Sequence, residues 1–356
     1  MLARIGFSVI AAALTMAGCS NSGGGGALPR GSNGSAGVGV AGVASEHTRV
    51  RIHEFADLPG SFYYYHPQAI TVGADGLLWV LDGTDQDYGN DAVVGIATTG
   101  AREHTYHARN SYISYDDVTS GPDGALWITD GYQLRIIRMT TGGHFTNYRL
   151  KNGVSPMFIT SGPDNALWFT ASNSSQGVIA RMTTEGKVTE YALAPEPWGI
   201  ATGSDGALWF TEPFANGIGR ITTAGKISQY TAGITARPFY LALGPDGAMW
   251  FTENSSSGGK IGRITTSGKV TEYSSGLTPT NTLFEIAAGP DGTMWFTEYG
   301  YDFSTPEIGR ISMSGRIHQY SNHLVAQHSG PGAIVAGPDG NMWFVDYWNK
   351  TGRVTI

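Results

Sequence analysis

The sequence predicts an all-β chain closed into a single seven-bladed β-propeller, and three observations predict it. Seven tryptophans, Trp79, Trp127, Trp168, Trp209, Trp250, Trp295 and Trp343, stand in one repeated phrase, spaced by 48, 41, 41, 41, 45 and 48 residues. Each copy carries four strand-like runs divided by glycine-bearing turns. The last copy stops one run short, and the missing run stands at the other end of the chain. A period near forty residues with a two-residue alternation inside it marks a propeller blade, a unit too small to bury its own apolar face until neighbours stack on it.

Taken in order, the chain opens with an address. Arg4 is the single charge before an apolar run from Phe7 to Met16, too short to span a bilayer as a permanent helix. Ala17-Gly18-Cys19 follows, small residues before the only cysteine in the chain. The segment reads as a secretory signal peptide whose end resembles a bacterial lipobox, with Met16 where leucine is commoner. That resemblance implies cleavage before Cys19 and lipidation of its sulfur; an ordinary signal peptide is the other reading. With no second cysteine, no intramolecular disulfide forms. Residues 20–45 are built of Gly, Ser, Ala and Val and lack the apolar bulk to fold, so they read as a flexible tether. The expected organisation is a signal at 1–18, a tether at 19–47 and the propeller at 48–356. Ser20 after the cysteine favours the outer over the inner membrane.

The run Val50 to Phe55 resembles Lys269 to Tyr273, the last run of a full copy. It is expected to close the ring as the outer strand of the last blade, which protects both end strands from edge pairing. In the copy around Trp209 the four runs are Gly199–Thr202, Ala207–Glu212, Ile218–Thr222 and Lys226–Thr231. The second is hydrophobic, aromatic and β-branched, as a buried strand should be. Ser204-Asp205-Gly206 and Ala224-Gly225 punctuate the hairpins, glycine supplying positive φ. The final copy ends after Gly352 to Ile356, its third run. Fifty-one glycines and 14% charged residues fit a molecule made of hairpins. A net charge of −7 with no Lys/Arg run excludes nucleic acid as the expected partner, and a monomer is expected.

An acid follows each tryptophan by three (Asp82, Asp130, Glu212, Glu253, Glu298, Asp346), except at Ala171. Six third runs carry an arginine: Arg138, Arg181, Arg220, Arg263, Arg310 and Arg353; blade one is expected to have Ala97 there. Two readings stand, a charged ring round one channel mouth or pairing across strands and blades. Asp75, Asp123, Asp205, Asp246, Asp291 and Asp339, each before a glycine, read as turn chemistry.

Positions that break the repeat are more informative. Eleven before each tryptophan stand Gln68, Asp116, Met157, Trp198, Phe239, Phe284 and Gly332, followed by Ala69, Asp117, Phe158, Gly199, Tyr240, Glu285 and Ala333. These should face the channel mouth. The rim is aromatic with a few carboxylates, the usual composition of a small-ligand site, and such rings also stack on sugar or macrocycle faces. Packing as a core plug is the alternative. Candidate ligand contacts are Tyr65, Asp116, Trp198, Phe239, Tyr240, Phe284 and Glu285. Blades one and seven adjoin in a closed ring, so the loop histidines His66 and His328 are candidates for a shared base or metal pair. The insertion from Asp82 to Asp91 places four aspartates in ten residues, which suits Ca²⁺ or a plain polar loop.

The unit GPDGAMWFTE…GKIGRITTSGKVTEY around Trp250, and its six companions, resembles the virginiamycin B (streptogramin B) lyase family over residues 48–356. The resemblance implies a seven-bladed propeller and an elimination that opens the ester ring of a cyclic depsipeptide antibiotic, using Mg²⁺ and a histidine base. In that family the base and its neighbour lie in Pro-His-x-Ile steps of late blades. The matching steps here are Pro238-Phe239-Tyr240-Leu241 and Pro331-Gly332-Ala333-Ile334, with Gly330 where a metal-binding acid is expected. Asp346 corresponds to the remaining acid, and Asp117 is a second metal candidate, for Mg²⁺ or Ca²⁺. Two functions follow: a lipid-anchored module binding a small molecule, glycan or peptide at its rim, or a metal-dependent lyase or hydrolase with a base relocated to His66 or His328.

Overall fold

The computed structural model describes residues 50–55, 65–84, 92–107, 115–173, 176–193, 195–256, 258–300, 305–324, 329–348 and 350–356. They form seven antiparallel four-stranded sheets and no helix. The first strand of each blade neighbours the first strand of the next, and that of blade seven (Pro331–Ala336) neighbours that of blade one (Tyr65–Val72). First strands therefore line a closed central channel. Blade four shows the unit: Ile200–Thr202, Ala207–Glu212, Gly217–Thr222 and Ile227–Tyr230. Because neighbouring strands alternate in direction, the loops between blades and the second-to-third loops share one face. The Asp-Gly turns lie on the other.

The ring closes as expected. Arg51–Phe55 pairs antiparallel with Lys350–Thr355 in blade seven, His53 opposite Arg353. Phe55 stacks on Trp343 at 5.3 Å between centroids. Tyrosines do the same elsewhere, Tyr148 on Trp127 at 5.5 Å and Tyr230 on Trp209 at 5.5 Å. Each of these outer rings also covers a turn glycine of the following blade. Tyr230 covers Gly268 and Phe55 covers Gly100, both at positive φ, where any Cβ would overlap the ring. A strand taken from the N-terminus thus makes the contacts its tyrosine-bearing counterparts make.

All seven tryptophans are fully buried. Their indole N–H groups need partners, and the turn aspartates supply them. Asp205 Oδ1 accepts from Trp209 Nε1 at 3.1 Å while its Oδ2 accepts from Arg220 Nε at 2.6 Å. The same triple recurs at Asp123, Trp127 and Arg138. This corrects two expectations. The Asp-Gly aspartates are more than turn residues, and the arginines pair with them on the turn face rather than with the acids that follow each tryptophan. Blade one differs through its register: Trp79 faces Gly95, not Ala97, so no arginine is offered.

Packing within a blade is complementary in volume. Phe210, Phe251, Phe296 and Phe344 each face a glycine, at Gly219, Gly262, Gly309 and Gly352, whose Cβ would overlap the ring. Phe169 faces Ala180, Ile128 faces Ile137 and Val80 faces Val94. Trp209→Ala is expected to cost about 3–5 kcal/mol, and Asp205→Ala about 1–3 kcal/mol by leaving the indole N–H unanswered. Chemical denaturation of the two variants checks both, and an Asp205→Ala midpoint equal to that of the parent would refute the role given to the aspartate.

Candidate functional site

The rim is built by a repeated irregularity. In six blades the register of the first strand slips, between Pro67 and Ala69, Tyr115 and Val118, Pro156 and Ile159, Pro238 and Leu241, Leu283 and Ile286, and Pro331 and Ile334. The residues inside each slip include the break-the-repeat positions of the sequence. In blade four Trp198-Gly199 precedes the strand instead. Such bulges re-aim side chains and leave backbone groups without ladder partners. Threonines two after the tryptophans answer such groups in blades two to six, whereas blades one and seven have Leu81 and Val345 there. Thr211 Oγ1 accepts from Gly199 N at 2.9 Å and donates to Phe239 O of the next blade at 2.7 Å. Thr129 likewise accepts from Asp117 N at 2.9 Å and donates to Met157 O at 2.6 Å. The repeated threonine of the WFTE phrase was the available signal, and the sequence reading passed over it.

Ring contacts place these side chains in the channel. Phe158 of blade three meets Tyr240 of blade five edge-on at 5.6 Å, a contact between non-adjacent blades that only the channel allows. Trp198 lies 5.7 Å from Phe158 and 5.8 Å from Phe239. A second group joins Phe284, Tyr299 and Tyr347, with Phe284 stacked on Tyr299 at 4.3 Å and edge-on to Tyr347 at 6.4 Å. Trp198, Phe239 and Tyr240 stay partly exposed, whereas Phe284 and Tyr299 are buried. Part of the aromatic set is thus buried and part keeps exposed surface. Tyr299 and Tyr347, four after their tryptophans where other blades have Gly, Ser, Pro or Asn, break the repeat too, and that test would have found them.

The carboxylates divide by role. Asp117 accepts Ile159 N of the next blade at 2.9 Å and Val118 N at 2.8 Å. Glu285 accepts Ile334 N, also of the next blade, at 3.1 Å. Asp117 raises the Glu285 carboxyl electrostatically, and both act on Tyr240, so acids from blades two and six share the channel. Burial pushes Asp117 up to about 7 and Glu285 to about 8. Asp116 Oδ2 accepts Gly131 N at 2.7 Å, next in sequence to exposed Tyr132. Burial first, then neighbouring Asp130 and Asp117, raises it to about 8 against that hydrogen bond. Asp346 accepts Trp348 N at 2.9 Å and Gly330 N at 3.1 Å, and burial raises it to about 7.

Among the described residues no three His, Cys, Asp or Glu side chains converge as metal ligands. Asp346 and Asp117, the expected metal pair, are each engaged by backbone N–H groups. Tyr65 and His66 lie on the first strand of blade one, opposite Thr84 and Gly83. His328, Cys19 and the aspartates of 85–91 fall outside the described residues. The acids that follow the tryptophans are interior groups. Glu212 accepts from Gln229 at 2.7 Å, and Gln319 bridges Glu298 and Glu307.

Burial raises Glu253 and Glu298 to about 8, the neighbouring Glu272 and Glu307 adding to it. A carboxyl raised in the folded state favours folding fully below its unfolded value and loses that contribution as pH climbs to the folded one. Stability should therefore fall between about pH 4.5 and pH 8. The turn aspartates Asp123, Asp164, Asp205 and Asp246 are lowered, so their contribution fades only below their ordinary range. Thermal midpoints across this window test the sign: Glu298→Gln, which keeps an acceptor for Gln319, should flatten the alkaline fall, and an equally steep fall in that variant would contradict it.

The chain's relatives bear on this geometry. The virginiamycin B lyase family model matches residues 57–354. A catalytically inactive histidine-to-alanine variant of virginiamycin B lyase from Staphylococcus aureus, solved with quinupristin, is 32% identical, covering 86% of this chain and 99% of its own, with a TM-score of 0.74. A streptogramin B lyase structure is 30% identical, covering 86% and 97%, with a TM-score of 0.73. No curated protein sequence shows significant similarity. The seven-bladed ring, its closure and its repeated phrase together with these matches lead to one conclusion: the chain belongs to the virginiamycin B lyase family.

Proposed function

We propose that this family member is an exported, lipid-anchored propeller that binds a small molecule, glycan or peptide at its aromatic channel mouth and does not linearise streptogramin B antibiotics. One observation carries the reading. The positions eleven before each repeated tryptophan, where the first strands begin, hold Gln68, Asp116, Met157, Trp198, Phe239, Phe284 and Gly332, none of them a histidine. Removing a weakly acidic proton beside a carbonyl needs a base near neutral pKa, and the resulting enolate needs a cation held by carboxylates. Phe239 and Gly332 accept no proton, and Gly330 offers no ligand. The partly exposed rings of Trp198, Phe239 and Tyr240 offer stacking surface in their place.

The Cys19 address supports placement in the bacterial envelope, preferably at the outer membrane, with the propeller held on its tether as a monomer. Several acyl chains anchor stably where one binds only marginally. Cys19→Ser should abolish fatty-acid labelling and release soluble propeller, and unchanged labelling would refute the anchor.

The functional test is an antibiotic-opening assay on the purified chain with and without EDTA. No turnover is expected under either condition. EDTA-sensitive linearisation would overturn the reading in favour of a metal-dependent lyase, and loss of that activity in His66→Ala or His328→Ala would then locate the relocated base.

A further inference from the structure

Resting on the reading of Cys19 as a lipid anchor, we infer that the turn face of the propeller is a docking surface for an anionic phospholipid membrane, which leaves the channel mouth turned away from that membrane. Strands alternate in direction, so the third-to-fourth turns share a face with the Asp-Gly turns and lie nearer its outer edge. Four residues before the outer tyrosine or phenylalanine of each blade stands a basic residue: Arg51, Arg102, Lys187, Lys226, Lys269 and Arg316, with His144 in blade two. All of them are exposed. The turns present them alike. Lys187 N donates to Thr183 Oγ1 at 3.3 Å, Lys226 N to Thr222 Oγ1 at 3.1 Å and Lys269 N to Thr265 Oγ1 at 3.1 Å. The glycine before each of these lysines has positive φ and lies under a tyrosine of the preceding blade.

Folding accounts for the glycine, the hydroxyl and the ring of these turns, but not for the charge. No ion pair among the described residues uses any of these basic side chains. The third-strand arginines deeper in the same face are different. Each is held by a turn aspartate, Arg220 by Asp205 at 2.6 Å and Arg353 by Asp339 at 3.9 Å, so their charges cancel. Apart from those aspartates, the acidic side chains of this face among the described residues are Asp75, Glu103 and Glu185. The face is therefore net positive on a chain whose formal charge is −7. Arg51 completes the ring in blade seven although its strand comes from the other end of the chain.

Two further observations choose the partner. The polypeptide enters the propeller at this face. Arg51 pairs with Thr355 at the turn-face end of the outer strand of blade seven, so residues 1–49, which hold Cys19, join the propeller beside the basic ring. Acyl chains on a flexible tether fix a protein to a membrane without orienting it, whereas charge spread round a perimeter lays the whole face flat. The exposed large hydrophobics among the described residues, Tyr132 and Phe214, lie instead in second-to-third loops, on the opposite face. The turn face thus offers charge without apolar wedges, which suits headgroup phosphates at an anionic leaflet rather than insertion between acyl chains.

The test is co-sedimentation of the full chain carrying Cys19→Ser, so that no acyl chain contributes, with phosphatidylglycerol or phosphatidylcholine vesicles. Residues 1–18 are common to every variant and drop out of the comparison. Binding to phosphatidylglycerol should be at least about ten-fold tighter and should fade as salt rises. Replacing Lys187, Lys226 and Lys269 together by Gln should weaken it at least about ten-fold, with near-ultraviolet circular dichroism showing that the packed aromatics are retained. Neutralising three exposed cations of the loop face, Arg149→Gln, Lys151→Gln and Arg237→Gln, should leave it unchanged. Hydrogen exchange on the anionic vesicles should slow in the turns 183–187, 222–226 and 265–269. Equal binding to the two lipids, an undiminished preference in the folded triple-lysine variant, or protection of the loops around Tyr132 and Phe214 instead would each overturn the docking face. A parent chain that takes no fatty-acid label at Cys19, while the preference persists, would refute the anchor and not the docking face, so the two failures are distinguishable.

Discussion

Each blade is organised by one buried tryptophan and the carboxylate that answers its indole. A fully buried indole N–H without a partner is costly, and the Asp-Gly turn places an acceptor next to it, as with Asp246 and Trp250 at 3.0 Å. The same carboxylate holds the third-strand arginine, Arg263 at 2.6 Å, and that guanidinium lies 5.9 Å over the Trp250 ring. Turn, second strand and third strand are thereby tied at one point. The glycine two before each aspartate is required as well, because a Cβ at Gly244 would overlap the indole. With the indole answered in all seven blades and the arginine added in every blade but the first, irregularity concentrates on the opposite face.

That division of labour positions the site. On the loop face the first strands bulge, and the freed backbone is stitched to the next blade by Thr129, Thr211 and Thr297 and by the carboxylates of Asp117 and Glu285. Seam and channel are therefore one structure. A residue inside a bulge both closes the ring and presents a side chain to whatever enters. Asp116 makes such a tie within its own blade, where its carboxylate accepts Gly131 N of the second-to-third loop. Membership of a lyase family and retention of its chemistry are separate matters, because a fold is shared by its scaffold and function lives in sites placed on it.

Most of the fold was legible in the chain. The tryptophan spacing set the blade count, and the short last copy with Val50 to Phe55 set the closure, because period and strand complement are written in local sequence. The break from the repeat singled out Trp198, Phe239, Tyr240, Phe284 and Glu285, and the structure sets Trp198 beside Phe239 at 5.8 Å. What the tertiary structure decided was partner choice. That Arg220 binds Asp205 rather than the acid Glu212, that Gly95 rather than Ala97 faces Trp79, and that Asp117 and Asp346 spend their oxygens on backbone N–H groups depends on register and on which end of a blade each side chain occupies. Repeats announce which residues are equivalent; only pairing across strands and across the channel determines which of them touch. Phe158 meeting Tyr240 from a non-adjacent blade is the clearest case, since no local pattern encodes the width of a closed ring.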